Sequence, residues 1–498
     1  MQSIRVFAIA AATLMLAASC QKEIDVKEQT SVLEFSATYE QPVDEGETKT
    51  ALSGTSVVWS ANDQVKVYDA TGKTGTLTAA AGGSASTTFS GDVEEDFNSS
   101  SACYAIYPAS AAQSISGSTI TFTLPATQTY AENSFGQDCN VAVGAVSGGN
   151  IAFKNACGYL KLPVSLESGD AAKVGKIILK GNNGEKISGT FTVDASLNAP
   201  VAAASGTTAD EDKVITLDCG DGVELSTDSE NPTVFYFVVP VGAFSDATNG
   251  GFTAEVYSTK DHLITTLSTT KSANVINRSK VRVMPITSDV KWLPSTYTEV
   301  EYIESTGTQY IDMDVKGTRN SKIEVRFMLG SRKDRMLLFG ATGETNSGST
   351  WYYDYHRSFF VKVNNANTYW YPSFGTQART VIASPYNDLN TIHTTVLSSE
   401  GWYYDGECAA TFTQDTDFET PVSVYLFYGN GPDGTLWERN RFEGKVYYAK
   451  FWESGSLIRN LIPAQNTGDL RLGMYDLAAT GDENKFYTNV GTGSFTGE

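Results

Sequence analysis

Lys322-Ile323-Glu324-Val325-Arg326-Phe327-Met328-Leu329 puts Ile323, Val325, Phe327 and Leu329 on one parity and Lys322, Glu324 and Arg326 on the other. Successive side chains of a strand point to opposite faces, so this alternation reads as a strand with one face in a core. The same period recurs on both sides. Ile120, Phe122 and Leu124 alternate with Thr121 and Thr123, and Phe191 with Val193, Phe252 with Val256, and Val422, Val424 and Leu426 repeat it. Clusters of Gly, Asn, Asp and Ser separate these runs at short spacing. No apolar i, i+3, i+4, i+7 stripe exceeds two helical turns. The expected class is all-β, built of sandwiches rather than βαβ units.

The 498 residues suggest about three domains, at roughly 150 residues each. Lys and Arg number 36 against 57 Asp and Glu, a formal charge of −21. That sign repels phosphate backbones and argues against nucleic acid as a partner. Only three histidines occur, His262, His356 and His393, in unrelated contexts. Histidine-rich zinc sites and Ser-His-Asp chemistry are therefore not expected.

Residues 1–19 are expected to be a signal peptide. Arg5 supplies the positive start, and Val6 to Ala17 form an apolar stretch too short to span a bilayer. It ends Leu16-Ala17-Ala18-Ser19-Cys20, which resembles the lipobox of lipoproteins, with Ala17 where that motif usually has Leu. The resemblance makes Cys20 the acylated N-terminus; an ordinary secretory signal is the alternative. Residues 20–30 would then be the lipidated start and tether. Five other cysteines, Cys103, Cys139, Cys157, Cys219 and Cys408, are odd in number and irregular in spacing, so no disulfide framework follows. Cys139 with Cys157 is the pair to test first.

Composition changes near Trp292. No arginine lies between Val6 and Asn277, and six of the seven tryptophans follow Lys291. Separate modules are expected at 31–149, 150–290 and 297–498, with 291–296 as linker.

Thr48-Lys49-Thr50-Ala51-Leu52 and Val57-Val58-Trp59-Ser60-Ala61-Asn62-Asp63-Gln64-Val65-Lys66-Val67-Tyr68 resemble the fimbrillin family of lipoproteins. Tyr104-Ala105-Ile106-Tyr107-Pro108, Leu124-Pro125-Ala126-Thr127-Gln128 and Phe153-Lys154-Asn155-Ala156-Cys157-Gly158-Tyr159 add to the likeness. The resemblance implies two tandem transthyretin-like β-sandwiches and a role as pilus stalk, anchor or tip. Stalk pilins of that family are matured by an arginine-directed cut, which this arginine-free stretch lacks. A tip, anchor or non-polymerising relative fits better. Trp59 itself reads as a core aromatic.

From Tyr297 onward the chain resembles a concanavalin A-like, laminin G jelly-roll. Tyr302-Ile303-Glu304-Ser305-Thr306-Gly307-Thr308-Gln309-Tyr310-Ile311-Asp312 opens it, and Phe442-Glu443-Gly444-Lys445-Val446-Tyr447-Tyr448-Ala449-Lys450-Phe451-Trp452 and Leu457-Ile458-Arg459-Asn460-Leu461-Ile462-Pro463 continue it. That sandwich serves lectins, adhesins, glycosidases and spacers alike.

A retaining glycosidase needs two carboxylates about 5–5.5 Å apart. Concanavalin-like hydrolases carry a Glu-x-Asp-x-x-Glu passage, and 297–498 has none. Glu299/Glu301 and Asp312/Asp314 have i, i+2 spacing but fall where the resemblance puts the fold's structural opening, and Asp415/Asp417 lie in a turn-like run. No enzyme is expected. Sugars stack flat C–H faces on aromatic rings and pair hydroxyls with Asn, Asp and Gln. Trp351-Tyr352-Tyr353-Asp354-Tyr355-His356, Tyr369-Trp370-Tyr371, Trp402-Tyr403-Tyr404-Asp405 and Trp437 offer such rings. Alternation puts Trp351, Tyr353 and Tyr355 on one face, and half of all these rings must be core. Trp351, Tyr353, Tyr355, Trp370 and Trp402 are the candidate glycan contacts. No cofactor is expected; calcium at Asn430-Gly431-Pro432-Asp433-Gly434 or Asn387-Asp388 is the one metal the loops would suit.

The expected function is a lipid-anchored adhesin-like protein, exposed at the outer-membrane surface, with a carbohydrate-binding C-terminal head on a fimbrillin-like stalk. Surface or host glycans, glycoproteins and other fimbrial subunits are the expected partners. A structural pilus component without glycan binding, or a lipoprotein serving glycan uptake, are the alternatives.

Overall fold

The computed structural model describes residues 31–44, 57–137, 139–168, 172–245, 250–269, 275–284, 290–333, 335–343, 357–364, 369–375, 377–378, 381–382, 388–412, 417–431, 440–479 and 485–498. Among them the chain is all-β, broken only by two 3₁₀ turns, Ala109–Ala111 and Asp210–Lys213. No helix of the described residues is long and apolar enough to cross a membrane.

Seven strands close a barrel in the order Ser31–Tyr39, Asn150–Asn155, Ala142–Ser147, Tyr104–Tyr107, Gln64–Tyr68, Thr74–Ala79, Ser86–Val93. Ser31–Tyr39 closes it, running parallel to Asn150–Asn155 and antiparallel to Ser86–Val93. Trp59 fills the interior, edge-on to Tyr39, Phe89, Tyr107 and Phe153 with ring centres 4.8, 4.9, 5.2 and 5.4 Å away. Edge-to-face contacts of this kind add to the area each ring buries. Gly148 and Gly149 turn Ala142–Ser147 into Asn150–Asn155 with φ of +58° and +78°. A tight hairpin turn of this hand needs positive φ at both central residues, which glycine adopts without a steric penalty. Position 149/150, expected as a domain division, therefore lies inside a hairpin.

Beyond the barrel three sheets stack in layers. The middle one runs Thr233–Val239, Gly158–Val164, Lys280–Val283, Val43–Asp44. Leu160, Leu162, Phe235, Phe237 and Val239 on one of its faces meet Ile177, Leu179, Ile215, Leu217 and Val256 of a six-stranded sheet. Tyr159, Tyr236 and Val238 on the other meet Ile120, Phe122, Leu124, Phe191 and Val193 of a four-stranded sheet. Burial on both faces explains the unbroken apolar run Phe235-Tyr236-Phe237-Val238-Val239, where alternation gives way. The edge of Thr233–Val239 is covered by Gln128, whose Nε2 donates to Val238 O at 2.8 Å and whose Oε1 accepts Val238 N–H at 2.9 Å. That amide acts as a short piece of neighbouring strand.

The C-terminal part is a two-sheet sandwich around one core. Its larger sheet holds Glu407–Ala410, Gly401–Tyr404, Ile392–Ser398, Ser321–Leu329, Glu443–Glu453, Ser456–Asn466, Leu472–Asp476 and Phe486–Thr488 in that order. The smaller is built around Met336–Thr342, Ser358–Asn364 and Tyr369–Gly375. Ser321–Leu329 alternates buried and half-buried along its whole length, as its sequence requires.

Trp292 and Leu293, expected in a linker, are buried instead. They join Ile462, Ala464 and Tyr475 of the C-terminal sandwich in the same core as Leu160 and Phe235. Strand Ser456–Asn466 is thus apolar on both faces, with Leu461 turned into its own sandwich. Beside this apolar seam, Arg326 pairs with Asp261 at 2.8 Å, and Asp261 also holds Lys176 at 2.5 Å. Glu299 Oε1 accepts from Ser258 Oγ at 2.5 Å and meets His262 Nδ1 at 2.6 Å.

Candidate functional site

Of the side chains expected to meet a glycan, Trp370 and Trp402 are described, one on each sheet of the sandwich, and strand parity decides where each points. Tyr369–Gly375 pairs antiparallel with Ser358–Asn364, setting Trp370 opposite Val363, Tyr371 opposite Lys362 and Ser373 opposite Phe360. Trp370 and Phe374 share the inward parity with Phe359, Val361 and Val363. Trp370 is 0% exposed, packed against Phe327 at 5.9 Å and Trp402 at 5.9 Å. Trp402 is likewise 0% exposed, and its Nε1 donates to Thr395 Oγ1 at 2.6 Å. Neither indole offers a face to a ligand, and both leave the candidate set. Their size and the apolar parity of their strands place them in the core. Trp351, Tyr353, Tyr355, His356 and Trp437 lie outside the described residues, as does Cys20.

The outward parity of the same hairpin holds Tyr369, Tyr371, Phe360, Lys362, Ser358 and Ser373. Tyr369 and Tyr371 are half-buried and flank Trp370 on the face it leaves. Tyr371 is flanked by cross-strand neighbours on the same face. Phe360 stacks with it at 6.4 Å and 16° between ring planes, and Lys362 Nζ lies 5.1 Å from its centroid and 5.5 Å from that of Phe360. Gly340 on the neighbouring strand makes room for this layer, since a Cβ there would sit 2.4 Å from Phe360 Cβ. Ser358 Oγ and Ser373 Oγ, 2.6 Å apart, carry the polar end. Together these make a tyrosine shelf whose other members are buried, Phe360, Lys362, Ser358 and Ser373 being at most 4% exposed. Of this layer, the half-buried rings of Tyr369 and Tyr371 are what can stack a sugar. Tyr371 is among the rings the sequence offers but not among the five candidate contacts; it has the parity opposite to Trp370 and Phe374, and pairing with Lys362 puts it on the outer face.

The acidic pairs have structural partners. Glu299 is bound to Ser258 and His262, Asp312 Oδ1 accepts Asp314 N–H at 2.9 Å, and Asp417 pairs with Arg319 at 2.7 Å. Asp415 lies outside the described residues. Among the described residues no three His, Cys, Asp or Glu side chains are grouped to hold a metal ion. Asn430 is buried, its Nδ2 spent on Ser423 O at 3.0 Å; Asp433, Gly434 and Asn387 are not described. Cys103, Cys157 and Cys219 are buried free thiols, Cys139 is buried, and Cys408 is an exposed free thiol. Burial lifts Cys157 and Cys219 to about 12, the latter with help from Asp218, so neither is a nucleophile at neutral pH.

No family model and no curated protein matches the chain. It is similar to solved structures from Bacteroides. A Bacteroides uniformis protein described as a "putative cell adhesion protein" shares 14% identity and a TM-score of 0.31 over 53% of this chain and 94% of its own. A Bacteroides ovatus "putative carbohydrate binding protein" shares 13% and 0.30 over 68% and 92%. Domains LG4-5 of the mouse laminin alpha1 chain share 13% and 0.22 over 66% and 93%. Likeness at that level leaves function to this chain's own side chains.

Proposed function

We propose that this protein is an adhesin-like lipoprotein, anchored through Cys20 and exposed at the outer-membrane surface, whose C-terminal sandwich binds surface or host glycans. The observation that carries the reading is the half-buried tyrosine shelf at Tyr369 and Tyr371, fixed by Phe360 and Lys362. Aromatic platforms that are already rigid lose little entropy on binding. Trp351, Tyr353 and Tyr355, outside the described residues, stay in this proposal as candidate contacts. The larger N-terminal part serves as a stalk.

The test is a glycan array probed with the full chain, followed by titration of the best ligand. Tyr371→Ala is expected to weaken binding several-fold to ~100-fold, the loss of about 1–3 kcal/mol that removing a stacking ring costs. Its melting transition should stay near that of the unaltered chain, because the ring is half outside the core. Saturable binding that Tyr371→Ala and Tyr369→Ala leave intact removes the shelf from the site. Absence of any saturable glycan removes the adhesin reading.

A further inference from the structure

At the mouth of the barrel, between residues 57–60 and the hairpin turn at 131–137, the surface opens into a cavity of about 270 Å³. Its rim is exposed at Val58, Ser60, Ser134 and Gln137, and its floor is the buried Tyr39, Trp59, Asp63, Tyr107 and Asn140. Two features of that floor are unusual.

The first is an uncompensated carboxylate. Asp63 is only 4% exposed, yet it is served by neutral donors: Ser60 N–H to Oδ2 at 2.7 Å, and Gln137 Nε2 and Tyr107 Oη to Oδ1 at 3.1 and 3.3 Å. None of the residues lining the cavity is Lys, Arg or His. A buried charge without a counter-charge is costly, and the cost falls when a cation arrives. Burial first, then the neighbouring Tyr159, Tyr107 and Asp63, holds the Tyr39 phenol well above its ordinary value, so it stays neutral. Asp63 is the one carboxyl group among the described residues of this wall.

The second is an acceptor with nothing to accept. Asn140 is 1% exposed; its Nδ2 donates to Tyr39 Oη at 2.7 Å and to Asn155 Oδ1 at 2.9 Å, and its Oδ1 has no partner. Buried acceptors are rarely left so without a reason. Asn140 Oδ1 is closed off from the cavity, and the floor's other unpartnered atom, Trp59 Nε1, is a donor. The Asp63 carboxylate and the rings of Tyr39, Tyr107 and Phe135 favour a guest that donates hydrogen bonds, carries positive charge and has an apolar stem.

We infer that this cavity is a binding site for a primary ammonium on a short aliphatic chain, such as a lysine side chain or a free diamine. The site lies on the barrel, apart from the tyrosine shelf, and stands whether or not the head binds glycans. The probe is Nα-acetyl-lysine methylamide, titrated into the full chain by isothermal calorimetry and saturation-transfer NMR, beside its neutral norleucine counterpart. Saturable one-to-one binding is expected for the lysine probe, at least tenfold tighter than for norleucine. Asp63→Asn keeps an acceptor for Ser60 N–H and should lose at least tenfold. Should that variant melt early, Ser134→Trp at the exposed rim should block the probe without touching the floor. Equal binding of both probes, binding unchanged in a normally melting Asp63→Asn or in Ser134→Trp, or saturable binding of a neutral hexose in place of the lysine probe would overturn the assignment.

Discussion

Trp402 and Tyr371 are both aromatic residues on strands of the C-terminal sandwich, and parity alone gives them opposite work. Truncating Trp402 or Trp370 to Ala removes a ring from a closed core and should cost about 3–5 kcal/mol of stability, read as a lower urea midpoint. Any loss of glycan binding in those variants would then track unfolding, unlike that in Tyr371→Ala. Asp69 shows another residue-scale effect. Burial alone would raise its pKa, but hydrogen bonds from Asn98 N–H, Thr71 Oγ, Thr71 N–H and Lys73 N–H outweigh it and bring the carboxyl to about 2. An unfolded Asp titrates near ~3.9, so the stabilisation is present above that pH and disappears as pH falls through about 2. The urea midpoints of the parent chain and Asp69→Ala should therefore differ at pH 5 and converge toward pH 2. A constant gap across that range would mean that the ionised carboxylate is not the source.

Strand Ser31–Tyr39 is an element fastened from outside its own sheet. Glu40, the residue after it, takes both guanidinium nitrogens of Arg278 at 2.5 and 2.9 Å, and Arg278 also donates to Asn155 O at 3.0 Å. Burial alone would raise the Glu40 carboxyl; Arg278 and the Asn155 N–H hold it below its ordinary value. Arg278→Ala leaves Glu40 half-buried without its partner and should cost about 2–3 kcal/mol. Arg278→Lys should recover only part of this, because lysine cannot grip both oxygens. Limited proteolysis offers a second reading: peptides from 31–44 should be released sooner in Arg278→Ala. Equal release rates would mean the barrel's own pairing holds the strand without the clasp.

Over the whole molecule, the joint between the layered sheets and the C-terminal sandwich is part apolar core and part charge network. Ile462, Ala464, Tyr475, Trp292 and Leu293 form the first; Arg326, Asp261, Lys176, Glu299 and His262 form the second. A fragment starting at Tyr297 bares that apolar face. It should self-associate and bind a hydrophobic dye more than the full chain does, as light scattering and dye fluorescence would report. Trp292→Ala in the full chain should separate one melting transition into two, because the ring belongs to a core that both parts share. A monomeric, dye-silent fragment would make the seam a surface contact only.

All-β architecture was legible in the residues themselves. Period two in Lys322–Leu329 and in Thr119–Leu124 states which side chains share a face, since the pleat leaves a strand no other choice. The burial of Trp59 could be read in the same way. What alternation cannot say is which parity meets a core, because both parities of Tyr369-Trp370-Tyr371 are aromatic and only the pairing with Val363 and Lys362 separates them. Likewise Trp292 lies where composition changes, a sign of a joint, while its burial depends on Ile462 and Tyr475, some 170 residues further on. The cavity at Asp63 rests on contacts of the same long range, with Tyr107, Gln137 and Asn140. Local pattern determined the strands; long-range packing decided what each face touches, because burial is a property of the neighbour as much as of the residue.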